Sequence, residues 1–196
     1  MTLKTTITRE DILSLEDFVK VRKDKRAEVV ATKKNRRVGV GPFCTFYFEN
    51  YTTMWWQIHE MLFIEKGGEE QIADELAAYE PLVPKGSELV ATFMIEVDDA
   101  VRRPAVLAQL TNIDQKIVLE FGSHRIRAVP EDDAERNRED GKTSSVHFLR
   151  FPFTAEQIAA FRTPGTRVLL GIEHENYGHI AVMPEAVREN LSGDFA

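Results

Sequence analysis

The sequence predicts an α+β fold: N-terminal helices packed on a mainly antiparallel sheet or sandwich, with short inserted helices. Three observations lead there. Helical apolar periods are concentrated in residues 1–86, whereas period-two alternation dominates residues 87–196. Tight turns join successive strand-like runs, and only antiparallel neighbours can be joined so briefly. The length of 196 residues, with 43% hydrophobic and 29% charged side chains, suits a single domain over residues 1–196. A chain of this size buries enough surface to fold without disulfides or metal.

The elements follow in order. Ser14-Leu15-Glu16-Asp17 has the form of a capping box, and Leu15, Phe18, Val29 and Val30 continue a broken apolar stripe, predicting a helix over 14–34. The period changes between Val38 and Phe48, where the aromatic run 43–48 reads as a strand entered through a Gly41-Pro42 turn. Asn50 or Thr52 opens the next helix and Gly67-Gly68 stops it. Its apolar residues cover over half the circumference, so it is expected to be largely buried, with Trp55 in the core and Trp56 left open as a ligand platform or interface anchor. A shorter helix spans Glu69 to Glu80 and ends at Pro81.

Leu89, Ala91, Phe93, Ile95 and Val97 alternate as a strand, and Pro104–Leu110 fits a short helix. Ile117–Val129 reads as a hairpin turning at Gly122-Ser123, in a register that sets Glu120 against Arg125, Leu119 against Ile126 and Ile117 against Ala128. Pro130–Ser144 is charged and reads as a loop, whose acids Glu131, Asp132 and Asp133 lack calcium-loop spacing. Val146–Phe153 is a strand, Thr154-Ala155-Glu156-Gln157 caps a helix to Phe161, and Arg167–His174 pairs with His179–Met183 around a four-residue loop. Pro184 opens a last helix to about Leu191.

Composition narrows the function. The net charge of −7 argues against general nucleic-acid binding. No apolar run approaches the ~20 residues that span a bilayer, and residues 1–6 lack a signal-peptide core, so the expected compartment is the cytoplasm. The single Cys44 cannot furnish an internal disulfide or an iron–sulfur cluster, and its place on an apolar strand face predicts an inert thiol. Charge is nevertheless uneven. Between residues 20 and 37, Lys20, Arg22, Lys23, Lys25, Arg26, Lys33, Lys34, Arg36 and Arg37 stand against Asp24 and Glu28, a net of +7 that leaves −14 for the remainder. Such a run is either a solvated helix face or a docking patch for an acidic partner or phosphate-bearing ligand.

No catalytic motif is complete. His59-Glu60-Met61-Leu62-Phe63 begins like a zinc-protease helix but carries Phe63 where the second histidine belongs. Gly39-Val40-Gly41 runs into Pro42 and a strand, not into a helix that would hold a pyrophosphate. The best positive is His174-Glu175-Asn176-Tyr177-Gly178-His179, where a four-residue loop would set both imidazoles opposite each other, either as polar rim or as two ligands of one divalent transition metal. His147 shares the apolar face of Leu149 and Phe151, and His59 lies between Trp55 and Phe63, so each reads as a core histidine. The sharper alternative has His59, His147, His174 and His179 converge with Glu60 or Glu65 on one metal.

Several strings also carry a family resemblance. Phe46-Tyr47-Phe48-Glu49-Asn50-Tyr51, Thr53-Met54-Trp55-Trp56-Gln57, Ile64-Glu65-Lys66-Gly67-Gly68-Glu69, Lys142-Thr143-Ser144-Ser145-Val146-His147-Phe148 and Tyr177-Gly178-His179 resemble an uncharacterised bacterial family, DUF3501, from about Ile7 to Leu191. The resemblance supplies no activity and no catalytic residues. Its members tend to be encoded beside rubrerythrin-like and iron–sulfur heterodisulfide-reductase-like proteins, which implies a redox or oxidative-stress setting and a redox protein as partner. The leading expectation is therefore an accessory binding protein that docks through residues 20–37. The alternative is a metal-binding protein or metal-dependent enzyme built on the histidines. A small-ligand binder using Trp56 is the third.

Overall fold

The computed structural model describes residues 3–131 and 143–196. Asp132, Asp133 and Lys142, used above, lie outside them. The chain runs α1 (Leu15–Lys34), β1 (Arg37–Val40), β2 (Cys44–Glu49), α2 (Tyr51–Glu65), α3 (Gly68–Tyr79), β3 (Glu88–Ile95), α4 (Arg103–Gln109), β4 (Ile117–Phe121), β5 (His124–Arg127), β6 (Val129–Pro130), β7 (Val146–Pro152), α5 (Ala155–Arg162), β8 (Val168–His174), β9 (Tyr177–Val182) and α6 (Glu185–Leu191). Short 3-10 turns include Arg9–Asp11 and Ile113–Lys116. The predicted α+β class is the observed one.

Two sheets form, in strand orders β1-β2-β3-β7-β6 and β5-β4-β8-β9, and each of their strand pairs is antiparallel. One core joins them. Phe46, Phe93, Leu149 and Phe151 from the first sheet meet Leu119, Phe121, Leu170 and Ile172 from the second. At one edge β1 lies against β9, and at the other the chain passes from β5 in one sheet to β6 in the other. The architecture is thus a sandwich with its edges drawn together.

The β4–β5 hairpin has the expected register, including Glu120 opposite Arg125 and Leu119 opposite Ile126. Gly122 takes φ +54° and Ser123 does not take a positive φ, as a Gly-first type II′ turn requires. The segment before Gly41-Pro42 differs from expectation: residues 37–40 form their own strand and pair with β2. Both strands present apolar side chains to the core, and the glycine at φ +69° makes the reversal possible.

Helices cover the other face of the first sheet. In β3, Leu89, Ala91, Phe93 and Ile95 face the sandwich, while Val90 points outward and packs with Met54, Ile58, Leu82 and Val83. Asn50 caps α2 by accepting the Thr53 amide at 3.0 Å, with Thr53 reciprocating. Its other end stops one residue earlier than the glycine pair suggested, because Lys66 itself adopts φ +57°. The two tryptophans exchange roles. Trp56 is buried with Phe18 and Val29 under α1, whereas Trp55 is half-buried and donates its Nε1–H to the Asp11 carbonyl at 2.8 Å. A Trp56 ligand platform is excluded by that burial.

Candidate functional site

The fold separates the four histidines. His59 lies on the buried side of α2, its Nδ1 2.7 Å from the Trp55 carbonyl and its Nε2 accepting the Leu13 amide at 3.0 Å. A carbonyl only accepts, so Nδ1 carries the proton and the ring is neutral. Its ring centroid stands 3.8 Å from that of Trp55 and 4.9 Å from that of Phe18. Burial holds its pKa below the ordinary 6.5 despite the opposing pull of the Trp55 carbonyl.

The expected pairing of His174 with His179 is corrected. A two-residue turn, Glu175-Asn176, joins β8 to β9, so His174 faces Tyr177 and His179 faces Ile172. His174 Nε2 lies 3.1 Å from the Thr111 carbonyl and its Nδ1 accepts the Asn176 amide at 3.2 Å, so both nitrogens are engaged. His179 packs on the Tyr177 ring at 4.3 Å, with its Nδ1 buried and without a hydrogen-bond partner among the described residues. Among the described residues, no three His, Cys, Asp or Glu side chains are grouped so as to hold a metal ion. Glu60 is held by Arg22 at 2.7 and 2.9 Å, and Glu65 accepts from Gln71 at 2.9 Å. The four-histidine centre is therefore replaced by four separate sites.

His147 has the most chemical surroundings. Its Nε2 is 2.9 Å from the Ser144 carbonyl and 3.0 Å from Thr143 Oγ1, and its Nδ1 is 3.7 Å from Asp114 Oδ2. Hydroxyl, imidazole and carboxylate thus follow one another as in a nucleophilic triad, an array that sequence spacing did not reveal. The geometry does not perform that chemistry. The proton on Nε2 points at a carbonyl, so no lone pair there can take the Thr143 proton. All three side chains are buried, and His147 Nδ1 and Asp114 Oδ1 have no hydrogen-bond partner among the described residues. Burial pushes the Asp114 carboxyl up, but His147 and the amides of Asp114 and Gln115 outweigh it and keep its pKa below the ordinary value. The array ties the 113–116 turn to β7.

Cys44 is buried as well. Burial drives its thiol up to about 12, outweighing the Tyr177 hydroxyl beside it. Tyr177 serves as a latch between the sheets: its hydroxyl accepts the amides of Phe43 (2.8 Å) and Cys44 (3.1 Å) and donates to the Val40 carbonyl (2.9 Å).

The basic segment is divided by the fold. Arg36 is 2% exposed and bonds Asp194, the Asn190 side chain at 3.0 Å, and the carbonyls of Phe48 and Glu49, each at 2.9 Å. It clamps the C-terminal turn and is withdrawn from any docking surface, a correction to its predicted place. Lys20 is paired with Glu16 and Asp17, Arg22 with Glu60, and Lys25 with Glu28, while Arg37 lies over the Tyr47 ring at 5.4 Å. Lys23, Arg26, Lys33 and Lys34 are exposed with no ion-pair partner among the described residues.

Those four share one face of α1. At about 100° per residue, Leu15, Val19, Lys23, Arg26, Val30, Lys33 and Lys34 fall within an arc of roughly 100° that runs the length of the helix, about 30 Å. Asp17, Asp24 and Glu28 lie on the far side, and Glu16 alone shares the arc. Yet α1 buries only Phe18 and Val29 in twenty residues. Val19 and Val30 are 54% and 64% exposed. A groove of about 280 Å³ beside Val19 is lined by Arg22, Lys23, Arg26 and Phe63.

Comparison with known proteins agrees with this fold. A family model described as "Protein of unknown function (DUF3501)" matches residues 6–195. A crystal structure of a novel protein of unknown function from Burkholderia pseudomallei K96243 is 40% identical, covering 97% of this chain and 100% of its own, with a TM-score of 0.89. No curated protein matches the chain. Among the described residues, no helix is long and apolar enough to cross a membrane.

Proposed function

The chain belongs to the DUF3501 family, and on that premise we propose that it is a cytoplasmic, non-catalytic binding protein that docks an acidic partner along the outer face of α1. One observation carries the reading. A twenty-residue helix that buries two side chains leaves, on a single arc, apolar surface and four cations with no ion-pair partner among the described residues. An isolated exposed valine needs no explanation, but Val19 and Val30 interleaved with Lys23, Arg26 and Lys33 at helical spacing form the centre and rim of an interface. The excess of positive charge favours a partner with acidic residues around an apolar patch and speeds its approach. The resemblance noted above suggests the class of partner: a redox protein of the rubrerythrin or iron–sulfur reductase type, with this chain as its accessory.

The test is direct binding of such a purified partner at rising ionic strength, for the wild type and for Lys23→Glu/Arg26→Glu/Lys33→Glu. Wild-type affinity falls as salt screens the arc, and the triple variant loses binding without a change in melting temperature. Affinity indifferent to both salt and charge reversal would overturn the proposal.

A further inference from the structure

Where α1 begins, α2 ends and α3 starts, the helical layer leaves a cleft of about 320 Å³. Its lining includes Phe18, His59, Leu62 and Ile72, with Leu13 and Leu15 exposed at its lips. A volume of this size falls at the lower end of small-molecule sites, which are mainly apolar with a few placed polar groups.

The polar groups here are largely spent within the protein. Both nitrogens of His59 are bonded to backbone, so the imidazole adds an aromatic surface and makes no further polar demand. Ser14 is engaged with Asp17 at 2.8 Å, and Arg9 holds both carboxylate oxygens of Glu69. Lys66 is the exception. It lines the cleft, is exposed, and its ammonium has no hydrogen-bond or ion-pair partner among the described residues. The complement of an apolar trough with one unanswered cation at its rim is a molecule with an apolar tail and one anionic head.

We propose that this cleft binds a small aliphatic carboxylate, its tail against Phe18, Leu62 and Ile72 and its carboxylate on the Lys66 ammonium. The site touches the docking face only at Leu15, and Lys23, Arg26, Lys33 and Lys34 do not line it.

Titration calorimetry with octanoate tests the assignment, with octanol and octyltrimethylammonium as uncharged and cationic counterparts. Octanoate binds saturably at one per chain, octanol more weakly, and the cation not at all. Lys66→Gln weakens octanoate about two- to fivefold, the range for an exposed ion pair. Ile72→Trp fills the trough and abolishes binding. Leu15→Trp, at an exposed position, does the same should the first variant fail to fold. Absence of saturable heat with octanoate, equal affinity for the three probes, or undiminished binding in a folded tryptophan variant would each discard the site. None of those results bears on the α1 interface.

Discussion

His59 shows how a residue that looks like a ligand becomes part of the frame. Its ring stitches the segment before α1 to α2 by accepting the Leu13 amide, and its other nitrogen is closed by the turn of helix below it. Because burial lowers its folded-state pKa, the unfolded chain takes up a proton at a pH where the folded chain does not. The stabilisation is therefore complete above the ordinary 6.5 and is lost as pH falls from there through the folded value. In His59→Gln, the urea midpoint should fall less steeply over that window than in the wild type; parallel slopes would show that His59 is not the titrating group. Strand alternation was enough to place His147 inward, and helical period enough to place His59. It could not supply their partners, since Leu13 reaches His59, and Asp114 reaches His147, only through the fold. The same limit hid Arg36, whose carboxylate partner Asp194 lies near the opposite end of the chain.

At the scale of elements, the β8–β9 hairpin shows where pattern reading fails. Moving from a four-residue loop to the two-residue Glu175-Asn176 turn keeps every side chain on its own face, because alternation has period two. Apolar pattern alone cannot separate those registers. Contacts outside the hairpin do: Tyr177 must reach Val40, Phe43 and Cys44, and the Asn176 side-chain amide donates to the Gln109 carbonyl. The β1–β2 turn that receives Tyr177 is equally constrained. A Cβ on Gly41 would come within 2.7 Å of the His179 ring and of the Tyr177 hydroxyl, at φ +69°. Gly41→Ala should cost more than about 1 kcal/mol in denaturant unfolding. Gly39→Ala, two residues away and with nothing within 4 Å of its Cβ, should stay within about ±0.5 kcal/mol. Similar losses in both would mean that the latch carries no stability.

For the molecule as a whole, the sandwich core and the helical layer share the first sheet, whose strands contribute to both: Leu89 and Ala91 to one, Val90 to the other. Loss of β3 would strip both at once, which predicts a single cooperative transition. Tryptophan fluorescence, reporting Trp55 and Trp56 in the helical layer, should have the same denaturant midpoint as far-UV circular dichroism, which reports both layers. Separate midpoints would divide the molecule into two units. The α+β class, most of the order of elements, the β4–β5 register and the apolar placement of Cys44 were legible in the sequence, because local propensity, turn chemistry and alternation act over a few residues. The scattering of the histidines, the burial of Trp56 and Arg36, the exposure of Val19 and Val30 and the cleft beneath Lys66 were decided only in three dimensions. Each depends on which surfaces meet across the chain, and a one-dimensional period says which side of an element is apolar without saying what, if anything, comes to cover it.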